Sequence, residues 1–525
     1  MIFAMCAFAF AFASCEQNGG NEVPEAKEKA YVAISLSTTD GTTRAGEEFS
    51  EGSDDERAVN SAFVLFYKNG VAFPVDGANY KAIAVDGNAN QNPETPNVSD
   101  YKNAVLVIEE YQGEYPNQLV ALLNYNPALI EGISSMSLET LCATVKDLQT
   151  TGTTGGFVMT NSVYVDETGE AVYAYPLTQS NIAMSADAAL EAPVQIYVER
   201  TAAKVQVTTT PTDHKFELAN TTVPVEGQAT QVYSKVLGWE LSNFTNSPLV
   251  KEIDAAWTND GLHLNPWNDA ARHRSYWAAP RTDSFAGFEP GDNAAEWSYD
   301  ENFKYTGENT KGDAKLVLKC QLQDADGNAL EIAKWLGKDY VTRANLLIAV
   351  ANNIKYSYYY KDTEGYYHQI SNGDLEAVLG NGTDAKVYQT YFKLKAASET
   401  KEWYKLTNGA FAPIAQSPET AVADMNAELR KIEPAILYAD GYTYYHTPVS
   451  HAFYTDTEGK TQAVNGVVRN HAYSINIRSI AGYGTPINTG FEFIVPETPA
   501  EIETFVAAEI KILSWKNVSY DVDIK

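Results

Sequence analysis

Basic residues are scarce. The 525-residue chain has 38 Lys and Arg against 68 Asp and Glu, a formal net charge of −30. With no basic stripe to neutralise phosphates, this argues against nucleic acid as a partner. It also opposes adsorption to an anionic membrane surface. Cysteine is scarcer still: only Cys6, Cys15, Cys142 and Cys320 are present. The first two sit in an N-terminal apolar segment, so no disulfide framework exists. Cys142, on an expected helix, and Cys320, in an expected strand, read as buried free thiols. None of the seven histidines has metal-ligand spacing. The nearest pair, His446 and His451 in "YYHTPVSH", lacks an acidic or thiol neighbour and reads as strand-edge histidines. No G-x-S-x-G elbow, H-E-x-x-H or P-loop occurs, and the carboxylates single out no acid/base pair. No catalytic residue, metal site or cofactor is therefore expected.

Long apolar runs are also missing. The longest opens the chain, "MIFAMCAFAFAFASCEQNGG", apolar from Ile2 to Ala13. A bilayer span needs about 20 such residues, whereas this length suits the apolar region of a signal peptide. Ala13 and Ser14 before Cys15 resemble a bacterial lipobox, in which the cysteine is lipidated and becomes the new N-terminus. Phe12 stands where leucine is usual, and no Lys or Arg precedes the run, which suggests that translation begins upstream of Met1. Residues 16–29 read as a polar tether.

What remains is β-rich. Hydrophobic residues make up 44% of the chain and charged residues 20%, a globular composition, and 33 Tyr lean toward strands. The length favours two domains. In "AYVAISLSTTDGTTRAGEEF", Val32, Ile34 and Leu36 alternate as a strand, which gives way to a soft loop around Arg44. "RAVNSAFVLFYKNGVAF" reads as two strands about an Asn69-Gly70 turn. "NAVLVIEE", "NQLVALLNY" and "GGFVMTNSVYV" are further extended segments. "SLETLCATVKDL" is a helix capped by Ser137. "APVQIYVERTAAKVQVTTTP" is a long β run, and the domain junction is expected near residue 205. "AKLVLKCQLQDADGNALEIAKW" reads as a hairpin, its "DADGN" as turn chemistry, not a calcium loop. "SPETAVADMNAELRKIEP" is a helix with Ser417 as cap, Pro418 at its first position and Val422, Met425, Leu429 and Ile432 as buried stripe. Short strands at even spacing, twice over, suggest two β-sandwiches. Trp267, Trp277 and Trp297 could line a sugar site, although core or loop packing is the commoner fate of Trp.

The C-terminus carries the best period-two pattern. In "AAEIKILSWKNVSYDVDIK", Ala508, Ile510 and Ile512 alternate, then Val518, Tyr520, Val522 and Ile524. Such a segment either closes its own sandwich or adds to a neighbour's sheet.

Taken in order, the lipobox, "TTRAG", "FVMTN", "VERTAAKVQV", "WYKLTNGAF", "GVVRNHAYSINIRSIAGYG" and the closing strand resemble the fimbrillins, the structural subunits of Bacteroidales fimbriae. The resemblance is strongest to the shaft subunits of the shorter Porphyromonas-type fimbriae. It implies an all-β fold with a few short helices, arranged as two tandem transthyretin-like β-sandwiches. It implies a signal peptide at 1–15, a propeptide at 16–44, an N-terminal domain at 45–205 and a C-terminal domain at 206–525. It also implies lipid on Cys15 and a cut by an arginine-specific protease between Arg44 and Ala45. That cut displaces the strand bearing Val32, Ile34 and Leu36, and a donor strand bearing Ile510, Ile512, Val518, Tyr520, Val522 and Ile524 refills the gap. The partners would be further copies of the chain in a head-to-tail polymer, accessory tip and anchor fimbrillins, and the outer membrane through the precursor's lipid. An accessory tip or anchor subunit, or a surface glycan-binding lipoprotein, stands as the alternative.

Overall fold

The computed structural model describes residues 29–38, 56, 58–75, 77–83, 100–109, 114–143, 156–161, 164–165, 171–172, 174–191, 193–242, 303–307, 315–380, 389–455, 458–487, 505–513 and 519–521. These residues are mostly strand, joined by a few short helices.

The first sheet holds nine strands: β1 (Lys29–Thr38), β2 (Ala62–Lys68), β3 (Val71–Ala72), β4 (Tyr80–Ile83), β5 (Asp100–Glu109), β6 (Gln118–Leu123) and β7 (Met159–Asn161) come first. After a small separate hairpin of β8 (Tyr164–Val165) and β9 (Ala171–Val172), β10 (Tyr175–Pro176) and β11 (Val194–Arg200) complete it. Its order is β3-β2-β6-β7-β11-β1-β5, with β4 and β10 attached to β2 and β6. The β2–β3 turn uses Asn69 and Gly70, both at positive φ (51° and 78°), as the Asn-Gly pair predicts. Both faces of this sheet are apolar. Val64, Phe66, Leu119, Ala121, Ile196 and Val198 share one core. Phe63, Leu65, Tyr67, Val120 and Leu122 share another, covered by Ile130, Ile133 and Leu141 of two short helices, Ile130–Ser134 and Leu138–Cys142. The unbroken apolar runs of β2 and β6 follow from this two-sided burial. Ser137 caps the second helix by accepting from the Thr140 amide, as its sequence predicts.

At Thr201 the chain passes from β11 into β12 (Ala202–Thr209), which belongs to a different sheet. Two five-stranded sheets follow. One is built from β13 (Lys215–Val225), β14 (Gln228–Ser242), β16 (Lys315–Gln323), β26 (Tyr442–Pro448) and β30 (Thr485–Pro486), in the order β13-β14-β16-β26-β30. The other runs β15-β12-β29-β31-β32, with β15 (Phe303–Gly307), β29 (Ala472–Ala481), β31 (Phe505–Leu513) and β32 (Ser519–Asp521). Both sheets contribute to one core: Val205, Val207, Tyr473, Ile475 and Ile477 from one, Phe216, Val236, Leu318, Cys320 and Tyr445 from the other. Cys142 and Cys320 are both free and buried. Burial drives the Cys320 thiol far above its usual range.

One sequence reading is corrected here. The "DADGN" turn closes as expected, with Asp324 accepting from the backbone and side chain of Asn328, and Gln323 bridging Ala329. The segment beyond it does not return along β16. It forms β17 (Ile332–Trp335), paired with β18 (Lys338–Val341) and β25 (Ile436–Tyr438) in a separate sheet. Turn chemistry specifies a reversal, whereas the partner is chosen by the apolar face, and Ile332 and Trp335 point into different clusters.

Between β18 and β25 the chain builds a lobe with its own core. Its helix Arg343–Ile354 buries Leu346, Val350, Ala351 and Ile354. A four-stranded sheet runs β20 (Tyr367–Gln369), β19 (Tyr358–Lys361), β23 (Glu402–Thr407) and β24 (Ala410–Pro413). β21 (Leu375–Leu379) pairs with β22 (Thr390–Leu394). The helix Ala421–Leu429 follows Ser417 and a Pro418–Thr420 turn, and its Met425 and Leu429 are fully buried, as the sequence stripe predicts. β27 (Ser450–Thr455) and β28 (Thr461–Asn465) form a hairpin.

Candidate functional site

The strand whose displacement the resemblance implies, β1, is an interior strand. All ten of its residues pair antiparallel with β5, from Lys29 opposite Glu109 to Thr38 opposite Asp100. On its other side Ile34 to Thr38 pair parallel with Val194 to Val198 of β11. Val32 is wholly buried, in one cluster with Leu106, Ile108, Val194, Ile196 and Val198. Ile34 and Leu36 lie on the same face of β1 by the pleat, and their backbones are paired on both sides. A short helix, Ala186–Glu191, lies against β1 and β5, with Ala189 buried. Without β1 the sheet would have a one-strand slot between β11 and β5. An occupant running in the direction of β1 would pair parallel with β11 and antiparallel with β5.

Arg44 and Ala45 lie outside the described residues, as do Cys15, Val518, Val522, Ile524, Trp267, Trp277 and Trp297. The next described residue, Glu56, is buried and ion-paired to Lys204.

At the other end of the chain, "VVRNHAYSINI" forms a turn and then β29. Tyr473 is fully buried; its hydroxyl accepts from the Val468 amide at 2.8 Å and pairs with His451 Nδ1 at 2.9 Å. The His471 ring lies beside that of His451, with centroids 4.9 Å apart. His451 is therefore a buried member of a polar cluster. His446, in β26 opposite Val317, is shifted down to about 4, first by burial and then by Lys315. Both lie in strands, as the sequence suggested, His446 half-buried and His451 buried. β29 pairs parallel with β12 and antiparallel with β31. Gly484, at φ +75°, sits where an added Cβ would fall 2.3 Å from Thr443 Oγ1.

Residues 436–521, from β25 to β32, match the family described as major fimbrial subunit protein type IV, fimbrillin, C-terminal. The chain carries a fimbrillin C-terminal region. Over those residues, the last part of the chain, it is similar to the fimbrillins. No curated protein matches the chain in sequence. Among solved structures, a proposed cell adhesion protein from Parabacteroides distasonis covers 94% of this chain and 98% of itself, at 11% identity and a TM-score of 0.36. A fimbrilin from Porphyromonas gingivalis covers 94% and 98%, at 14% identity and a TM-score of 0.34. The tip fimbrial protein Mfa3 of Porphyromonas gingivalis, truncated at its C-terminus, covers 92% and 100%, at 9% identity and a TM-score of 0.32.

The described donor candidates lie in the chain's own sheet. Ile510 is in β31 opposite Ile475 and Tyr520, and Ile512 is opposite Tyr473. Tyr520 is in β32, the edge strand, where three residues pair with β31. Among the described residues, no group of three or more His, Cys, Asp or Glu could hold a metal ion. No described helix is long and apolar enough to cross a membrane.

Proposed function

We propose that this chain is a shaft subunit of a cell-surface fimbria, with a structural and not a catalytic role. It is made as a precursor with lipid on Cys15 and held at the outer membrane by it. An arginine-specific protease cuts between Arg44 and Ala45, and the subunits then polymerise head to tail by strand exchange. Accessory tip and anchor fimbrillins are its other partners, and the fibre supports adhesion. In this reading 16–44 is a propeptide, and the junction between two tandem sandwich domains falls near residue 205.

The observation that carries the reading is the interior place of β1. An N-terminal strand at a sheet edge could be lost with little consequence. β1 has two neighbours, and its withdrawal uncovers two strand edges and the seat of Val32. Each uncovered backbone hydrogen bond is worth roughly 0.5–1.5 kcal/mol net, and the Val32 seat roughly 1.5–3 kcal/mol. A strand from the next subunit recovers these terms, and head-to-tail donation gives an open filament. The donor is the C-terminal segment, beginning with the edge strand β32, which has the least to give up, and including Val518, Val522 and Ile524.

The test uses two variants. Arg44→Ala is expected to leave a folded monomer that forms no fibres after mild trypsin treatment. A chain lacking residues 518–525 is expected to accept a donor but not to supply one, so that adding it to cleaved full-length subunits shortens fibres in proportion to its fraction. Fibres of unchanged length, or polymers from uncut Arg44→Ala, would overturn strand exchange. An anchor subunit would keep its lipid and resist cleavage. A glycan-binding lipoprotein would remain monomeric once cut.

A further inference from the structure

Arg44 and Arg57 are the only basic residues between the end of β1 at Thr38 and the start of β2 at Ala62. An arginine-directed protease therefore has two bonds to choose from in this connection. The residues flanking the second bond are tied down.

On the N-terminal side, Glu56 is 1% exposed. Its Oε1 lies 2.7 Å from Lys204 Nζ, and its backbone carbonyl accepts from Arg200 Nε at 2.7 Å. Arg200 is itself 1% exposed, and its Nη1 donates to Asn470 Oδ1 at 3.1 Å. Asn470 is in turn fixed by its amide, which donates to the Ala202 carbonyl at 2.7 Å. On the C-terminal side, the Ala58 carbonyl accepts from Asn124 Nδ2 at 2.8 Å, and the Asn60 amide donates to Asn124 Oδ1 at 2.7 Å. Gly156 packs under this tie: an added Cβ there would lie 2.7 Å from the Ala58 carbonyl oxygen. The single residue Glu56 thus joins the connection to β11, to β12 and, through Arg200, to the turn that begins the "RNHAYSINI" strand.

We infer that this clasp makes Glu56 the residue that decides where the connection is cut: it denies a protease the Arg57–Ala58 bond and confines cleavage to Arg44. A protease binds its substrate as an extended, detached segment. Presenting Arg57 would require both the Glu56 and the Ala58 ties to open, stranding the buried Arg200 guanidinium without its carbonyl acceptor. A cut there would also remove Glu56 from the subunit for good. The clasp therefore bounds the loss during maturation: β1 leaves, and the chain from Glu56 onward stays. This rests on the reading that maturation is an arginine-directed cut at Arg44.

Trypsin reads both bonds in one experiment. Full-length chain is digested briefly and new N-termini are quantified by mass spectrometry. In wild type the terminus at Ala45 is expected and the terminus at Ala58 is not. Breaking the Lys204 ion pair with Glu56→Ala, and separately the Ala58 and Asn60 ties with Asn124→Ala, is expected to raise the rate of appearance of the Ala58 terminus at least about tenfold, because cleavage follows the population of the opened segment. Glu56→Gln, which keeps a side-chain oxygen to accept from Lys204 but loses the charge, is expected to fall between. Slow alkylation of Cys142 and Cys320 confirms that each variant remains folded. Rapid cutting at Arg57 in folded wild type overturns the inference whatever the variants do, and so does an unchanged Ala58 yield in both alanine variants. Protection of Arg57 without any Ala45 terminus would instead count against the Arg44 reading and leave the clasp standing.

Discussion

Val32 is the described side chain through which β1 is anchored, and changing it tests how the first strand is held. Val32→Asp removes a fully buried isopropyl group, roughly 1.5–3 kcal/mol. It also places a carboxyl group among Leu106, Ile108, Val194, Ile196 and Val198. To stay there at pH 7 the carboxyl must be neutral, which means raising its pKa by at least about 3 units, or roughly 4 kcal/mol. Together these weaken the seat by roughly 6 kcal/mol, about four powers of ten in the strand's dissociation constant. Val32→Ala, which leaves only a cavity, is expected to cost roughly 2–3 kcal/mol. Before cleavage the strand is held at a high effective concentration by its own chain, and the differences are partly masked. After a cut at Arg44 they are fully expressed. Gel filtration of the freshly cut subunit, with intact-mass analysis of the main peak, reports whether the excised fragment is still bound. Wild type is expected to retain the fragment longest, Val32→Ala for a shorter time, and Val32→Asp not at all on the column timescale. Fibre growth, followed by light scattering, should speed up in the same order, because the slot empties sooner. A Val32→Asp fragment that co-elutes as long as the wild-type one would refute the reasoning.

Gly484→Ala forces a Cβ to within 2.3 Å of Thr443 Oγ1 and 2.4 Å of the Tyr444 carbonyl oxygen at a left-handed φ, so the urea midpoint should fall by an amount equivalent to at least about 2 kcal/mol. Cys142 and Cys320 should both alkylate in denaturant without reductant and resist alkylation in the native state; a linked peptide pair would contradict the structure. His446 is held neutral down to about pH 4 by burial and then by Lys315, whereas in the unfolded chain it takes up its proton near 6.5. The unfolded state therefore binds the extra proton between those values, and stability should decline as pH falls from about 6.5 to about 4, by up to about 3 kcal/mol. His446→Phe should flatten that limb of a melting-temperature profile, and an unchanged slope would reject the assignment.

Much of the first sheet was legible because its strands advertise themselves locally. The alternation of Val32, Ile34 and Leu36 and the Asn69-Gly70 turn are signals within a few residues. The neighbours of β1 were not legible. β11 lies more than a hundred residues away, and nothing in a period-two pattern names its partner. The same limit explains the misread hairpin after β16, where a correct turn led to a wrong sheet. Glu56 was invisible for a different reason: in "AGEEFSEGSDDE" it is one acid among several, and only the fold singles it out by burying it against Arg200 and pairing it with Lys204. The helix Arg343–Ile354 was not read from the sequence, although Leu346, Val350, Ala351 and Ile354 fall on one face and Thr342 caps it. The folded C-terminal strands were foreseen as strands, and their pairing within the chain was one of the two alternatives that the pattern left open.

The passage from β11 to β12 through Thr201 has a mechanical consequence. In a fibre built by the proposed strand exchange, a pull would enter each subunit at the slot beside β11. There is no loop to pay out between the two halves: β11 continues through one residue into β12. β12 is zipped in parallel to β29 from Lys204 to Thr209, and β29 is zipped to β31, toward the chain's far end. Force directed along these strands loads the rungs of each ladder together instead of peeling them one at a time. The subunit is built as a continuous tendon laid through two sheets, and its resistance to rupture is set by the shear strength of a few long ladders more than by its equilibrium stability.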